Sequence, residues 1–178
     1  MNTSLKLLRS LEWTLYTLRF IKDNLVTILA LGLVAAIGRA IQLQAFGPIS
    51  PFSHVLLEVI IEGSRIMLVL YALGLANIKS GFTKLIRVVK SKEFRRRNGR
   101  VAIIQLRHKW PTILLNLVAF LLIAYVFNLL IDHIAYETCL YITLLGRQLI
   151  SEQSSVWVLI LFFKNVSVIP FTLVFQSL

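Results

Sequence analysis

The chain of 178 residues combines 57% hydrophobic residues with a formal net charge of +11, which comes from 19 Lys and Arg against 8 Asp and Glu. An average soluble domain contains about 25% charged residues, whereas here the charged fraction is 15%. The hydrophobicity excludes a disordered chain, and one soluble core of this length could not bury so much apolar surface. A polytopic membrane protein with its positive charge gathered in one compartment fits both figures.

Four apolar runs are long enough to cross a bilayer, for which about 20 residues are needed. They extend from about Leu25 to Gln44, Val55 to Ala76, Thr112 to Ile134 and Val156 to Phe175. Pro170 lies inside the fourth run, where a membrane helix tolerates a proline kink. We therefore predict an all-α integral membrane protein built as a four-transmembrane-helix bundle, with amphipathic cytoplasmic helices at the membrane interface.

These runs divide the chain into four segments. We predict an N-terminal amphipathic cytoplasmic helix over 1–24, a first transmembrane hairpin over 25–76, a basic cytoplasmic loop with an amphipathic helix over 77–110, and a second transmembrane hairpin over 111–178. In the first segment, leucines recur at helical spacing at Leu8, Leu11, Leu15 and Leu18. In the third, Phe82, Leu85, Ile86 and Val89 follow the i, i+3, i+4, i+7 pattern of one helix face.

The basic residues predict the orientation of the chain. Residues 79–109 contain 11 Lys and Arg and one acid, while the linker 45–54 contains no charge and the linker 135–155 contains one basic residue. The positive-inside rule then places both termini and the basic loop in the cytoplasm. The expected location is a bacterial inner membrane.

The basic loop also predicts a binding surface. Its candidate residues are Lys84, Arg87, Lys90, Lys92, Arg95, Arg96, Arg97 and Arg100. Clusters of this kind beside a span bind anionic lipids of the inner leaflet, and an acidic protein partner is the alternative. A nucleic acid fits poorly, because only Phe94 is interleaved with the arginines and no stacking platform results. The pair Asn98-Gly99 predicts a turn within the run.

Ionisable residues within the apolar runs are the candidate site. They are Arg39, Glu58, Glu62, Arg65, Lys164 and Asp132. Charges at such depth are costly and usually have partners. The spacing of the outer turn predicts that Arg39 pairs with Glu62 or Glu58, and the i,i+3 spacing allows Glu62 to pair with Arg65. The cluster either fixes helices against each other or a partner subunit, or lines a path for an ion or small solute.

Signatures of an enzyme are missing from the sequence. It contains no glycine-rich phosphate loop, no His-Glu-x-x-His motif, no cysteine pair for zinc and no Gly-x-Ser-x-Gly motif. The single cysteine, Cys139, leaves no intramolecular disulfide to form. We expect no catalytic residues, no metal and no cofactor.

Arg39 stands late in the first run, and the second run continues with a loosely spaced series: Glu62, Arg65, Gly74, Ala76, Lys79 and Gly81. In these residues, segment 25–81 resembles the small membrane subunit of tripartite (TRAP) transporters. The likeness ends after Gly81, where this chain is more basic and lacks the histidine of that family. The resemblance implies an accessory membrane subunit.

The predicted function is therefore that of a small non-enzymatic membrane subunit, which anchors or scaffolds a larger assembly through homo- or hetero-oligomeric contacts. The alternative is a homo-oligomeric channel or solute transporter, or an accessory subunit of one, that uses the charged cluster.

Overall fold

The computed structural model of the protein describes residues 10–178, except for the side chains at 92–95, 97, 98, 100, 102 and 105. The structure is 81% helix, and the described residues contain no strand. This confirms the all-α prediction. The helices are α1 Glu12–Asp23, α2 Leu25–Gln42, α3 Pro51–Leu73, α4 Ile78–Lys90, α5 Lys92–Tyr136, α6 Leu140–Gly146, α7 Trp157–Val166 and α8 Val168–Ser177.

Three stretches of helix are long and apolar enough to cross a membrane: Leu25–Gln42, Leu106–Tyr136 and Trp157–Ser177. A fourth candidate is the pair formed by α3 and α4, which meets the same criterion only when the two are taken together and which is bent by 88°. α3 itself carries the charges of Glu58, Glu62 and Arg65. The described chain thus has three or four candidate spans.

The prediction of where the third membrane helix begins is wrong. In place of a turn at Asn98-Gly99 and a helix from Thr112, one helix of 45 residues runs from Lys92 to Tyr136 and contains Pro111. Residues with high helix propensity surround the Asn-Gly pair, and they outweigh the roughly 1 kcal/mol that a mid-helix glycine costs. The basic segment and the apolar run are therefore parts of one continuous helix.

The described chain forms two compact units, one of residues 10–24, 69–123 and 174–178, the other of residues 25–68 and 124–173. In the first unit, α1 packs through a different face from the predicted leucine stripe. Its buried residues are Thr14, Thr17 and Phe20, whereas Leu18 is exposed and Leu8 lies outside the described residues. The leucine pattern therefore does not mark the packed face.

Asn116, which is 1% exposed, binds the first turn of this face. Its Oδ1 accepts hydrogen bonds from the amide and the hydroxyl of Thr14, both at 2.9 Å. Its Nδ2 donates to the carbonyl oxygens of Ser10 at 2.7 Å and Thr112 at 2.8 Å. Because the helix-capping residue Leu11 offers no side-chain acceptor, Asn116 satisfies the first turn of α1 from another helix.

The corner between α3 and α4 depends on two glycines. A Cβ on Gly81 would lie 1.9 Å from the Leu70 carbonyl oxygen, and one on Gly74 would lie 1.8 Å from the Asn77 carbonyl oxygen. Such distances are far shorter than van der Waals contact, so no side chain fits at either position. The sharp bend between the helices therefore requires backbone atoms in direct contact.

In the second unit, α2 packs against α7, and the buried residues of α2 include the small side chains of Gly32, Ala35 and Ala36. A Cβ on Gly32 would lie 2.9 Å from the carbonyl oxygen of Asn165. Small residues allow this close approach of two helices.

The fourth predicted run forms one stretch of helix, Trp157–Ser177, with a local irregularity at Ser167. α7 ends at Val166 and α8 begins at Val168, with Ser167 between them. Pro170 explains the position of the irregularity, because it has no N–H for the Val166 carbonyl and its ring displaces that carbonyl.

Candidate functional site

The first ion pair joins α2 to α3 within the second unit. Arg39 lies in the last turn of α2, and its Nη1 is 3.1 Å from Glu58 Oε2 while its Nη2 is 3.4 Å from Oε1. The short connection of residues 43–50 makes α2 and α3 sequence neighbours, so this is one of the two pairings that the sequence predicted for Arg39. The two-point contact fixes the position of the guanidinium plane against the carboxylate.

Gln42 completes this first site and was missed by the sequence reasoning. Its Oε1 accepts from Arg39 Nη1 at 2.8 Å. Its Nε2 donates to Glu58 Oε2 at 2.9 Å and to the His54 carbonyl oxygen at 3.0 Å. The available signal was a polar residue one turn after Arg39 on an otherwise apolar helix. Arg39, Gln42 and Glu58 form a closed network that we call the outer network.

The second ion pair lies on α3 and reaches α7. Arg65 pairs with Glu62 one turn earlier, and its Nη2 donates to Asn165 Oδ1 at 2.8 Å. Asn165 is 1% exposed and donates through Nδ2 to the Leu161 carbonyl oxygen at 2.7 Å. We call Glu62, Arg65 and Asn165 the inner network.

The space around the inner network is small. The cavity beside Arg65 and Asn165 measures about 10 Å³, and a single water needs roughly 10–15 Å³. The buried Arg65 Nε has no hydrogen-bond partner in the described chain. The cavity could hold one water but no hydrated ion.

The two networks share an arrangement in which the cations are turned inward and the carboxylates outward. The side chains of Arg39 and Arg65 are 21% and 23% exposed, against 43% for Glu58 and 48% for Glu62. The i,i+4 spacing of the two glutamates places them on one edge of α3. We call this pair of side chains the acidic edge. Each carboxylate is neutralised from one side and open on the other.

Lys164 and Asp132 do not join either network. Lys164 is half-buried on α7, Asp132 is exposed near the end of α5, and neither makes a hydrogen bond or ion pair within the described residues. The six charged residues named from the sequence therefore separate into two ion pairs and two single residues.

The basic residues predicted to bind lipid, which we call the basic surface, begin on α4. This helix forms over the predicted amphipathic segment. Its apolar face is open, with Phe82 54% and Val89 62% exposed. Arg87 and Lys90 are exposed as well. Lys84 is used within the chain, since its Nζ donates to the Leu73 carbonyl oxygen at 2.9 Å at the end of α3, where a cation is favourable.

The remaining predicted basic residues lie on the first turns of α5. Arg96 is exposed. The side chains of Lys92, Arg95, Arg97 and Arg100 lie outside the described part of the structure.

The described residues contain no group of three or more His, Cys, Asp or Glu side chains arranged to hold a metal ion. Comparison with known protein families, with curated proteins and with solved structures finds no match to this chain.

Proposed function

We propose that the protein is a small, non-enzymatic, multi-pass membrane subunit of a larger assembly, located in a bacterial inner membrane with both termini in the cytoplasm. Its three or four apolar helices support insertion in a membrane. The concentration of 11 basic residues in segment 79–109 supports the orientation.

The observation that carries this proposal is the acidic edge. Both arginines pair with side chains of their own chain, which favours a structural role over a conducting path. Yet Glu58 and Glu62 are nearly half exposed, and an ionised group facing hydrocarbon costs about 2.5–3.5 kcal/mol on insertion scales. A neighbouring subunit that donates hydrogen bonds to these carboxylates removes that cost.

The basic surface supplies a second contact in this proposal. The open apolar face of α4 lies opposite Arg87 and Lys90, an arrangement typical of helices that bind the headgroup region of an anionic leaflet. Each basic residue near such a surface contributes about 1 kcal/mol. We assign Lys84 a smaller part, because its ammonium group is already bound to the end of α3.

Site-directed cross-linking tests the proposal. Gly63 lies next to the acidic edge, and a Cβ there would have no atom within 4 Å, so Gly63→Cys introduces a thiol without a clash. The native Cys139, which is free and exposed, is first replaced by serine. Leu122→Cys, on an exposed position of α5, is the matched control, and a thiol-to-amine cross-linker is applied to native membranes.

We expect Gly63→Cys to give a discrete adduct that is larger than the 20.3 kDa chain. This adduct contains a second, different polypeptide. Leu122→Cys gives little or no adduct. Neutralising the edge with Glu58→Gln and Glu62→Gln weakens this adduct. A chain that gives no adduct from position 63, or equal adducts from both positions, contradicts the proposal.

Lys164 supports the alternative of a homo-oligomeric channel or transporter. It is the cation of α7 that has no acidic partner within the described residues, and an unpaired lysine in a span can face a water-filled path. Flux through the purified protein in vesicles distinguishes the two functions. Flux that Lys164→Gln abolishes favours the channel, and a silent protein favours the subunit.

A further inference from the structure

The second unit contains an apolar cavity that neither ion-pair network uses. It measures about 270 Å³ and lies between the end of α2, the short helix α6 and the first turns of α7. Its wall includes Ile37, Ala40, Leu144, Val158 and Phe162, and every residue that lines it is apolar. An apolar cavity of roughly 150 Å³ is already large enough to bind benzene.

A second cavity, of about 430 Å³, adjoins the first. The two share Ala45, Phe46 and Ile150 as lining residues. The second cavity differs in chemistry, because Gln148, Ser151 and Glu152 contribute to its wall. An apolar cavity therefore lies directly beside a cavity with polar residues in its wall.

Hydrogen bonds within the unit hold the segment between α6 and α7 in place around both cavities. The Ser151 amide donates to the Ala45 carbonyl oxygen at 2.7 Å. The Tyr141 hydroxyl donates to the Ser154 carbonyl oxygen at 2.8 Å. Ala45 is itself 1% exposed, so the shared wall is anchored to the end of α2. The juxtaposition of the two cavities is thus part of the packed structure.

The charge in the polar cavity selects the kind of ligand. Glu152 is the ionisable residue of its wall, and this carboxylate makes no hydrogen bond or ion pair within the described part of the chain. Arg147, the nearest cation in sequence, is not part of the wall. A carboxylate without a counter-charge attracts a cationic group and disfavours an anionic one.

We propose that these adjoining cavities bind an amphiphile, with an alkyl chain in the apolar cavity and an ammonium head beside Glu152. Ligand sites of this kind are mostly apolar concavities with a few polar groups that fix orientation. The same chemistry occurs in a phosphatidylethanolamine lipid and in a free alkylamine. The site is independent of the acidic edge and of the proposed assembly.

Native mass spectrometry of the full chain in a neutral maltoside detergent tests this site. The probes are phosphatidylethanolamine and phosphatidylglycerol with identical chains, and dodecylamine with dodecanoate as its anionic match. Leu144→Trp fills the apolar cavity from α6, and Ile37→Trp fills it from α2. Ile142→Trp is the matched control, because Ile142 lies on the same short helix but is exposed and does not line the cavity.

We expect one tightly held phosphatidylethanolamine or dodecylamine per chain, with about fivefold weaker retention of the anionic match, equivalent to about 1 kcal/mol. Each cavity-filling variant lowers retention about tenfold, while Ile142→Trp retains the ligand. In Glu152→Gln, the cationic and anionic amphiphiles are retained equally, and the alkyl chain still binds in the apolar cavity. Displacement of the lipid by dodecylamine shows that both occupy the same site.

Binding of dodecylamine without the lipid supports the proposal and identifies a free amphiphile as the ligand. Equal retention by the wild type and both cavity-filling variants overturns it, provided that thermal unfolding shows all three folded. Equal loss in Ile142→Trp, or an unchanged head-group preference in Glu152→Gln, also overturns it.

Discussion

Arg39 and Glu58 connect the last turn of α2 to α3 through two contacts, at 3.1 and 3.4 Å. Gln42 contacts both members of the pair. Three polar side chains therefore satisfy one another where apolar residues predominate. The network fixes the rotation of the two helices, since sliding either helix by one residue would separate the charges.

The outer network is expected to behave as a coupled unit. Arg39→Gln and Glu58→Gln should each lower the thermal midpoint of the protein in detergent, because each leaves one charge without its partner. The double variant should lose less unfolding free energy than the two single variants lose together. The difference, which is the coupling energy of the pair, should be about 1 kcal/mol. A double-mutant cycle measures this coupling, and additive losses would show that the two side chains act independently.

Asn165 is expected to matter more than its residue type suggests. Asn165→Leu removes the acceptor of Arg65 Nη2 in a buried position, which should destabilise the protein by about 1–3 kcal/mol. Asn128→Leu is the control, because the Asn128 amide donates to Ala124 on its own helix and reaches no arginine. Equal effects of the two substitutions on the unfolding midpoint would contradict a special role for Asn165.

The corner between α3 and α4 gives the largest expected effect on folding. Gly81→Ala places a Cβ against the Leu70 carbonyl oxygen, which cannot move without breaking the end of α3. We expect a severe loss of folded protein in detergent extracts. Gly99→Ala meets no atom within 4 Å and should stabilise α5 by up to about 1 kcal/mol. A folded Gly81→Ala protein with an unchanged midpoint would refute this description of the corner.

Asn116 is expected to control the first turn of α1. Asn116→Leu removes the acceptor for the Thr14 amide, so hydrogen exchange at that amide should accelerate about tenfold or more, corresponding to at least about 1.4 kcal/mol. Exchange in the middle of α2 should stay slow. If the Thr14 amide is as protected in the variant as in the wild type, Asn116 does not cap the helix.

Much of the fold follows from local sequence patterns, and most of the site does not. Apolar run length and the face of Phe82, Leu85 and Ile86 were enough to predict helices, because both depend on residues near each other in sequence. Pro170 predicted a kink in the fourth run, and the irregularity lies at Ser167, three residues before it. The prediction of a turn at Asn98-Gly99 was wrong, because the helix propensity of the surrounding residues outweighed the turn preference of this pair.

The polar partners were harder to predict, because they come from distant parts of the chain. Arg39 and Glu58 could be matched across one short connection, but nothing local indicates that Asn165 receives Arg65 or that Asn116 caps α1. An amide side chain in an apolar segment is also a weaker sequence signal than a charge, although an unsatisfied amide in an apolar interior is costly. The buried face of α1 includes Thr14, which Asn116 binds, and the leucine stripe did not reveal it.

The proposal that this chain is one subunit of a larger assembly is tested most directly by native mass spectrometry of the particle extracted from its own membrane in mild detergent. We predict a particle heavier than 20.3 kDa that contains this chain and a second kind of polypeptide in a fixed ratio. A particle that contains only this chain, whether as a monomer or as a homo-oligomer, would contradict the proposal.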